Sequence, residues 1–170
     1  MTANVSVSRA RAEQANLLGR LWLIFQHEMS HITRRLPNPD GSYRSERLEA
    51  ALTDPDWTAF VMYVDDHPVG FAIVRSLAAE PRILNSFFVV APVRGQGHAR
   101  TLFRRVVESY PGRWSVAYQD SNAAAGRFWP RVVTEVDPDR TSVLRTVPDR
   151  PDLPADRWID FTVPTDMVHA

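Results

Sequence analysis

Hydrophobic positions along this chain switch repeatedly between a period near two and a period near 3.6. Residues 4–9 alternate and read as a first strand. Over 11–32, Leu17, Leu18, Leu21, Ile24 and Phe25 share one face at helical spacing, which predicts an amphipathic helix. Residues 35–43 hold Pro, Asn, Asp and Gly and read as a loop, with a short helix over about 44–53. Residues 57–64 and 69–77 are apolar runs on either side of Asp65-Asp66-His67-Pro68, the pattern of a hairpin. The run at 82–90 is largely apolar, as expected of a strand in the middle of a sheet. A helix over about 98–109, a strand over 112–119 and a helix over 121–129 follow, the last opened by a Ser/Asn capping signal. Residues 131–136, 141–147 and 157–163 read as late strands, and the Pro-rich 148–154 as a linker-like loop. The elements predict an α/β (α+β) fold: a mixed, mostly antiparallel sheet of about six to seven strands flanked by helices.

The chain's 170 residues suit one domain over 1–170, with 138–170 as its C-terminal strands and tail. Formal net charge is zero, which argues against nucleic acid as the main partner. No cysteine is present, so disulfides, thiolate metal sites and a cysteine nucleophile are excluded. No metal is expected. The N-terminal stretch lacks an apolar signal core, and the most apolar run, Leu17 to Phe25, is broken by Gly19 and Arg20 and falls short of a span of ~20 residues. A cytoplasmic protein with no membrane partner is the expectation. All 20 basic residues are arginine. Base composition of the genome explains this, and so does an enzyme that must not modify its own side-chain amines.

The chemistry points to Arg94-Gly95-Gln96-Gly97-His98-Ala99, where the third strand of the apolar series hands over to a helix. Two glycines allow positive backbone torsions and close approach of a ligand. A helix that begins there points unpaired N–H groups outward, and with the helix dipole these suit a phosphate. A Walker A loop requires lysine, which the chain lacks, and a Rossmann fingerprint requires glycine where Arg100 stands. A plain connecting turn is the other reading.

The turn resembles the Arg/Gln-x-x-Gly-x-Gly/Ala loop of the GNAT family of N-acetyltransferases. Asn122, Ala125, Phe128 and Trp129 resemble that family's Asn-x-x-Ala-x-x-Phe-Tyr helix, in register downstream. The resemblance covers roughly residues 4–137, and the flanking pattern is similar to a bacterial subgroup of predicted acetyltransferases. It implies acetyl-CoA as cosubstrate, a splay between the strands at 82–90 and 112–119, and a pantetheine arm lying near Phe88, Val89 and Val90. A backbone N–H near Phe88 would polarise the thioester carbonyl. The loop residues Arg94, Gly95, Gln96, Gly97, His98, Ala99 and Arg100, with Asn122, Phe128 and Trp129, form the implied cofactor site. The function implied is acetyl transfer to the primary amine of a small molecule, an aminoglycoside-like antibiotic being one class, by a monomer or homodimer. Asp40, Asp65, Asp66 and Asp120 are acids that could attract such a cation. Acetylation of a protein N-terminus or lysine, and a non-catalytic acyl-CoA sensor, are the alternatives.

The chain departs from the family pattern where protons are handled. Trp129 stands at the position of the usual acid, a tyrosine, and Asn85-Ser86 stand where a strand carboxylate is frequent. Tyr118 is the first candidate for the acid, against a half-buried strand aromatic. Asp120 is a candidate for base or amine contact, against a helix-capping role. Glu28, with His27 and His31, lies near the end of the first long helix and is a candidate to meet the amine, against a solvated polar face. Asn122 is as readily a helix cap as a cofactor contact.

Overall fold

The computed structural model describes residues 3–169; Met1, Thr2 and Ala170 lie outside the described residues. Seven strands form one sheet: β1 (Val5–Arg9), β2 (Trp57–Val64), β3 (His67–Arg75), β4 (Arg82–Val89), β5 (Gly112–Gln119), β6 (Thr141–Arg145) and β7 (Asp156–Val163). Their order is β1-β2-β3-β4-β5-β7-β6, and only β4 and β5 run parallel. Four α-helices complete the fold: α1 (Ala15–Thr33), α2 (Glu46–Thr53), α3 (His98–Glu108) and α4 (Ala123–Val136). No helix among the described residues is long and apolar enough to cross a membrane.

Local chemistry accounts for the connections. Val64 pairs with His67, so the β2–β3 turn has two central residues, Asp65 and Asp66, at φ 47° and 67°. Two consecutive left-handed residues are what a tight hairpin turn matching the strand twist demands, and Asp tolerates that region better than most.

The sheet carries a core on each face. Leu18, Leu21 and Trp22 of α1 and Leu48 of α2 pack on Val61, Phe71, Ile73 and Phe88. Leu102, Phe103, Val106 and Val107 of α3 and Trp129, Val132, Val133 and Val136 of α4 pack on the opposite face, with Trp114, Val116, Ile159 and Phe161. Strand β4 serves both: Leu84 and Val89 belong to one core, Phe88 to the other, which is why it reads as a nearly continuous apolar run.

One predicted element is corrected. Residues 131–136 do not form a strand; they are the second half of α4. The β-branched residues suggest a strand, and Pro130 suggests a break. Trp129, Val132, Val133 and Val136 are the buried residues of one helix, at spacings of three, four and seven. That period matches a helix packed on a sheet, and the burial of this stripe outweighs the backbone hydrogen bond that Pro130 cannot make. At the C-terminal end, β6 stops at Arg145, two residues before the predicted end.

The feature that positions the site is in the sheet centre. Strands β4 and β5 pair only through Arg82–Trp114, Ile83–Ser115 and Leu84–Val116. Ile73 of β3 is opposite Ser86 and Val74 opposite Leu84, so Asn85 is an extra residue, a bulge. A bulge bends its strand and sharpens the local twist. From Asn85 onward β4 stays with β3 while β5 continues with β7, and the two diverge.

Candidate active site

The turn at the end of β4 supplies donors. Gly95 and Gly97 sit at φ 76° and 86°, and a Cβ at either would meet nothing within 4 Å. Gly97 is the N-cap of α3 and offers no side-chain cap. The first capped amide is that of Thr101, whose N–H donates to the Gly97 carbonyl at 3.0 Å. The backbone N–H groups of residues 95–100 meet no acceptor among the described residues. They fan out at the positive end of a helix dipole, the arrangement that binds an anion.

The ladder decides which backbone groups face the gap. Val90 N–H donates to the Val69 carbonyl at 2.8 Å. Gly70 and Val89 are therefore the adjacent pair without mutual hydrogen bonds, and their polar groups point away from each other. Phe71 and Phe88 are again bonded across the ladder. Of Phe88, Val89 and Val90, only Val89 turns its N–H and carbonyl toward the splay. Its carbonyl accepts from Arg94 Nε at 2.7 Å.

A cavity of about 680 Å³ joins these features. Phe25, Glu28, Met29 and Ile32 of α1 wall one side. Phe87, Phe88 and Val89 of β4 and the glycine turn wall the next, and Ala124, Ala125, Phe128, Trp129 and Arg131 of α4 close the other. A polar end at the turn thus continues into an apolar channel beside a strand with unpaired backbone. The sequence profile described as the acetyltransferase (GNAT) family matches residues 22–132. The chain belongs to the GNAT family.

Solved structures agree at the level of fold. An acetyltransferase from Thermus thermophilus superposes with a TM-score of 0.68 at 18% identity, covering 94% of this chain and 97% of that one. The ribosomal-protein-S18-alanine N-acetyltransferase of Escherichia coli gives 0.64 at 12% identity, covering 94% of each chain. A spermidine N-acetyltransferase from Vibrio cholerae, in complex with CoA and spermine, gives 0.64 at 10% identity, covering 94% of this chain and 95% of that one. A search of curated protein sequences finds no match.

Within this GNAT fold, the residues singled out in the sequence divide into two groups. Glu28, Arg94, Gly95, Gly97, Ala99, Arg100, Asn122, Phe128 and Trp129 all line the cavity with Phe88 and Val89. Arg94 is fully engaged: its terminal nitrogens donate to both Glu28 carboxylate oxygens at 2.6 and 2.7 Å. This pair ties α1 to the glycine turn. Arg100 Nε donates to Glu135 at 2.6 Å. Gln96 turns back to the Pro92 carbonyl at 3.2 Å. His27 and His31 stack edge to face on the exposed side of α1, away from the cavity lining.

Tyr118 and Asp120 lie on the β5 side of the gap, outside the lining residues. Asp120 is clamped by Arg157 at 2.8 and 2.9 Å, and those hydrogen bonds hold its carboxyl below the usual range. A carboxylate so paired is a weak base. Tyr118 packs beside Gly126 of α4 and is half-buried. Burial raises its phenol above the ordinary value and the charge of Asp120 adds to this, while Arg157 partly opposes it. Trp129 is buried among Phe87, Phe103 and Phe128, so the indole is a wall of the channel. Asp40 lies in the α1–α2 loop, Asp65 and Asp66 share the β2–β3 turn and Asp120 follows β5, and among the described residues these acids form no joint cluster.

Asn122 has a structural task that can be measured. Its Oδ1 accepts from Ala125 N–H at 3.1 Å and caps α4. Asn122→Ala should lower stability by about 1 kcal/mol, read as a shifted urea midpoint, while Asn122→Asp keeps the cap and the midpoint.

Several lining residues were missed in the sequence. Met29 and Ile32 continue the apolar stripe of α1 one turn past Phe25, and extending that stripe to its end finds them. Phe87 alternates with Phe88 to the other face of β4, where it stacks on Phe128 with ring centroids 5.6 Å apart. Arg131 carried no signal, because the segment around it read as a strand.

Proposed function

We propose that this protein transfers the acetyl group of acetyl-CoA directly to the primary amine of a small molecule. The observation that carries the reading is the set of free amides at residues 95–100, opening onto a channel beside diverging strands. The diphosphate binds those amides, and Arg131 adds charge near the same end. The pantetheine arm follows the apolar channel and pairs with the unpaired edge of β4. Such a ligand satisfies backbone groups that would otherwise be costly to leave open.

Val89 N–H is directed into the gap and meets the thioester oxygen. A preorganised donor aimed at a developing oxyanion is worth about 3 kcal/mol. The neutral amine attacks the carbonyl carbon, the nitrogen of the adduct gives its extra proton to water, the C–S bond breaks, and the thiolate takes a proton. A lysine-type amine has a pKa near ~10.4 and must first lose a proton. Glu28, on the acceptor-side wall, receives it once the diphosphate draws Arg94 away. Tyr118 holds its proton through neutral pH, because its environment favours the neutral phenol, and is the donor to the thiolate. Tyr118→Phe should lower kcat by about 100-fold and remove the alkaline limb of the kcat profile, the limb on which the phenol ionises. An unchanged profile takes Tyr118 out of the acid role.

Two measurements test the whole reading. Calorimetry should show acetyl-CoA binding, and free thiol should appear with an amine from a panel that includes aminoglycosides. Cofactor binding with no thiol release from any amine or peptide favours the second reading, an acyl-CoA sensor. The buried Trp129 at the family's tyrosine position is the observation behind that alternative.

A further inference from the structure

The last two turns of α1 carry apolar surface that neither core uses. Leu18, Leu21 and Trp22 pack on the sheet, and Phe25 joins them at the edge of that core. Met29 and Ile32 continue the stripe at spacings of four and three. Both are partly buried, yet they belong to neither core. They face instead into the cavity of about 680 Å³. Apolar side chains on a cavity wall order water around them until an apolar group covers them.

Strand parity divides that cavity into two sides. Phe88 turns toward α1, its ring centroid 5.8 Å from that of Phe25. Phe87 turns the other way and stacks on Phe128 of α4. The α1 side is therefore walled by Phe25, Met29, Ile32 and Phe88, with Glu28 among them. Two aromatic faces, a flexible thioether and a branched alkyl group adapt to aliphatic and aryl shapes.

Charge is sparse on this side. The acids that line the cavity are Glu28 and Glu135. Glu135 belongs to α4, where it holds Arg100 of α3 at 2.6 Å. Glu28 is thus the one carboxylate on the α1 wall. Past Ile32 the helix ends at Arg34, its C-cap, with Arg35 next, and both are exposed. An ammonium at Glu28 has a partner. A second ammonium on the same molecule meets Met29 and Ile32 and then arginines, and a charge desolvated without a partner is costly. Four residues separate Glu28 from Ile32, about 6 Å along the helix, the reach of a short alkyl chain or a phenyl ring.

Resting on the acetyl-transfer reading above, we propose that the acceptor is a monoamine with an apolar body, an alkylamine or arylalkylamine. Its nitrogen meets Glu28 once Arg94 has gone to the diphosphate, and its body covers Phe25, Met29 and Ile32. The pantetheine arm, paired with the β4 edge, stays in the gap and leaves this wall to the acceptor. Met29 and Ile32 are the specificity-determining residues, and the same wall disfavours polyamines and polycationic amino sugars.

The test measures thiol release from acetyl-CoA with straight-chain primary amines from ethylamine to hexylamine, with 2-phenylethylamine, with 1,6-diaminohexane and with an aminoglycoside. For the monoamines kcat/KM should rise about three- to fourfold per added methylene, the factor that burial of one CH₂ supplies. Hexylamine should exceed 1,6-diaminohexane at least about tenfold. Met29→Ala and Ile32→Ala should each flatten the rise with chain length, cutting kcat/KM for hexylamine about tenfold and for ethylamine much less. Ile32→Glu should reverse the order of hexylamine and the diamine, a gain that a merely damaged protein does not show. Rates independent of chain length, a diamine or aminoglycoside used as well as hexylamine, or an order that survives Ile32→Glu overturns the proposal. A loss that Met29→Ala and Ile32→Ala show in the acetyl-CoA Kd rather than in the amine series gives the wall to pantetheine and overturns it too. Calorimetry with acetyl-CoA separates the two levels. Binding with turnover of polar or polycationic amines alone removes only the apolar acceptor, while no binding, or no thiol release from any amine, also removes the acetyl-transfer reading.

Discussion

Replacing Gly97 with tryptophan should weaken acetyl-CoA binding by at least about 100-fold and leave the protein folded. The residue sits at φ 86°, where an L side chain is strained by about 1–2 kcal/mol. Nothing of the protein lies within 4 Å of an added Cβ, so the indole has room and the core is untouched. The space it takes is the space in front of the free amides of residues 95–100. Losing two charge-assisted contacts to phosphate, at about 1.5–3 kcal/mol each, is enough for the stated loss. Gly41→Trp is the control: its φ of 80° and open surroundings impose the same strain in the α1–α2 loop. Calorimetry should show tight binding with that variant and little with Gly97→Trp. Equal affinity in both would remove the diphosphate from the turn.

Gly70→Val should cut the rate of thiol release by about 100-fold or more and lower stability as well. Gly70 lies directly opposite Val89 in β4. A Cβ at Gly70 would sit 2.5 Å from the Phe88 carbonyl oxygen and 3.2 Å from Val89 Cγ2. The first of these is backbone and cannot rotate away, so β3 and β4 must separate. Such overpacking costs about 1–3 kcal/mol, measurable as a lower urea midpoint. The strand that moves also carries Val89 N–H. A displacement of about 1 Å in a positioned group is sufficient for a 100-fold loss of rate. Gly70→Ala meets the same carbonyl with less bulk, and its loss should fall between wild type and valine. Full activity in the valine variant would mean that Val89 N–H takes no part in aiming the thioester.

The two substitutions probe parts of the site that differ in how far they could be read in advance. Residues 94–99 announce themselves as a chain of torsions and donors, because glycine spacing and a helix start are local properties. The same holds for the hairpin at Asp65-Asp66 and for the amphipathic stripe of α1. Gly70 gives no such signal. Its φ is ordinary, and its task is to let another strand come close, which depends on a pairing far along the chain.

The order of residues was enough to suggest an anion for the turn and to predict nearly every element of the α/β fold, since both follow from short-range torsional preference and periodic burial. Folding in three dimensions was needed to make 131–136 the end of α4, because β-branched residues suit a strand until a sheet face requires their helical stripe. It alone set Val89, rather than Phe88 or Val90, as the residue whose N–H enters the gap, a matter of ladder parity across a bulge. It also paired Glu28 with Arg94 and Asp120 with Arg157. Charges distant in sequence acquire meaning only when folding sets their separation and removes the water between them.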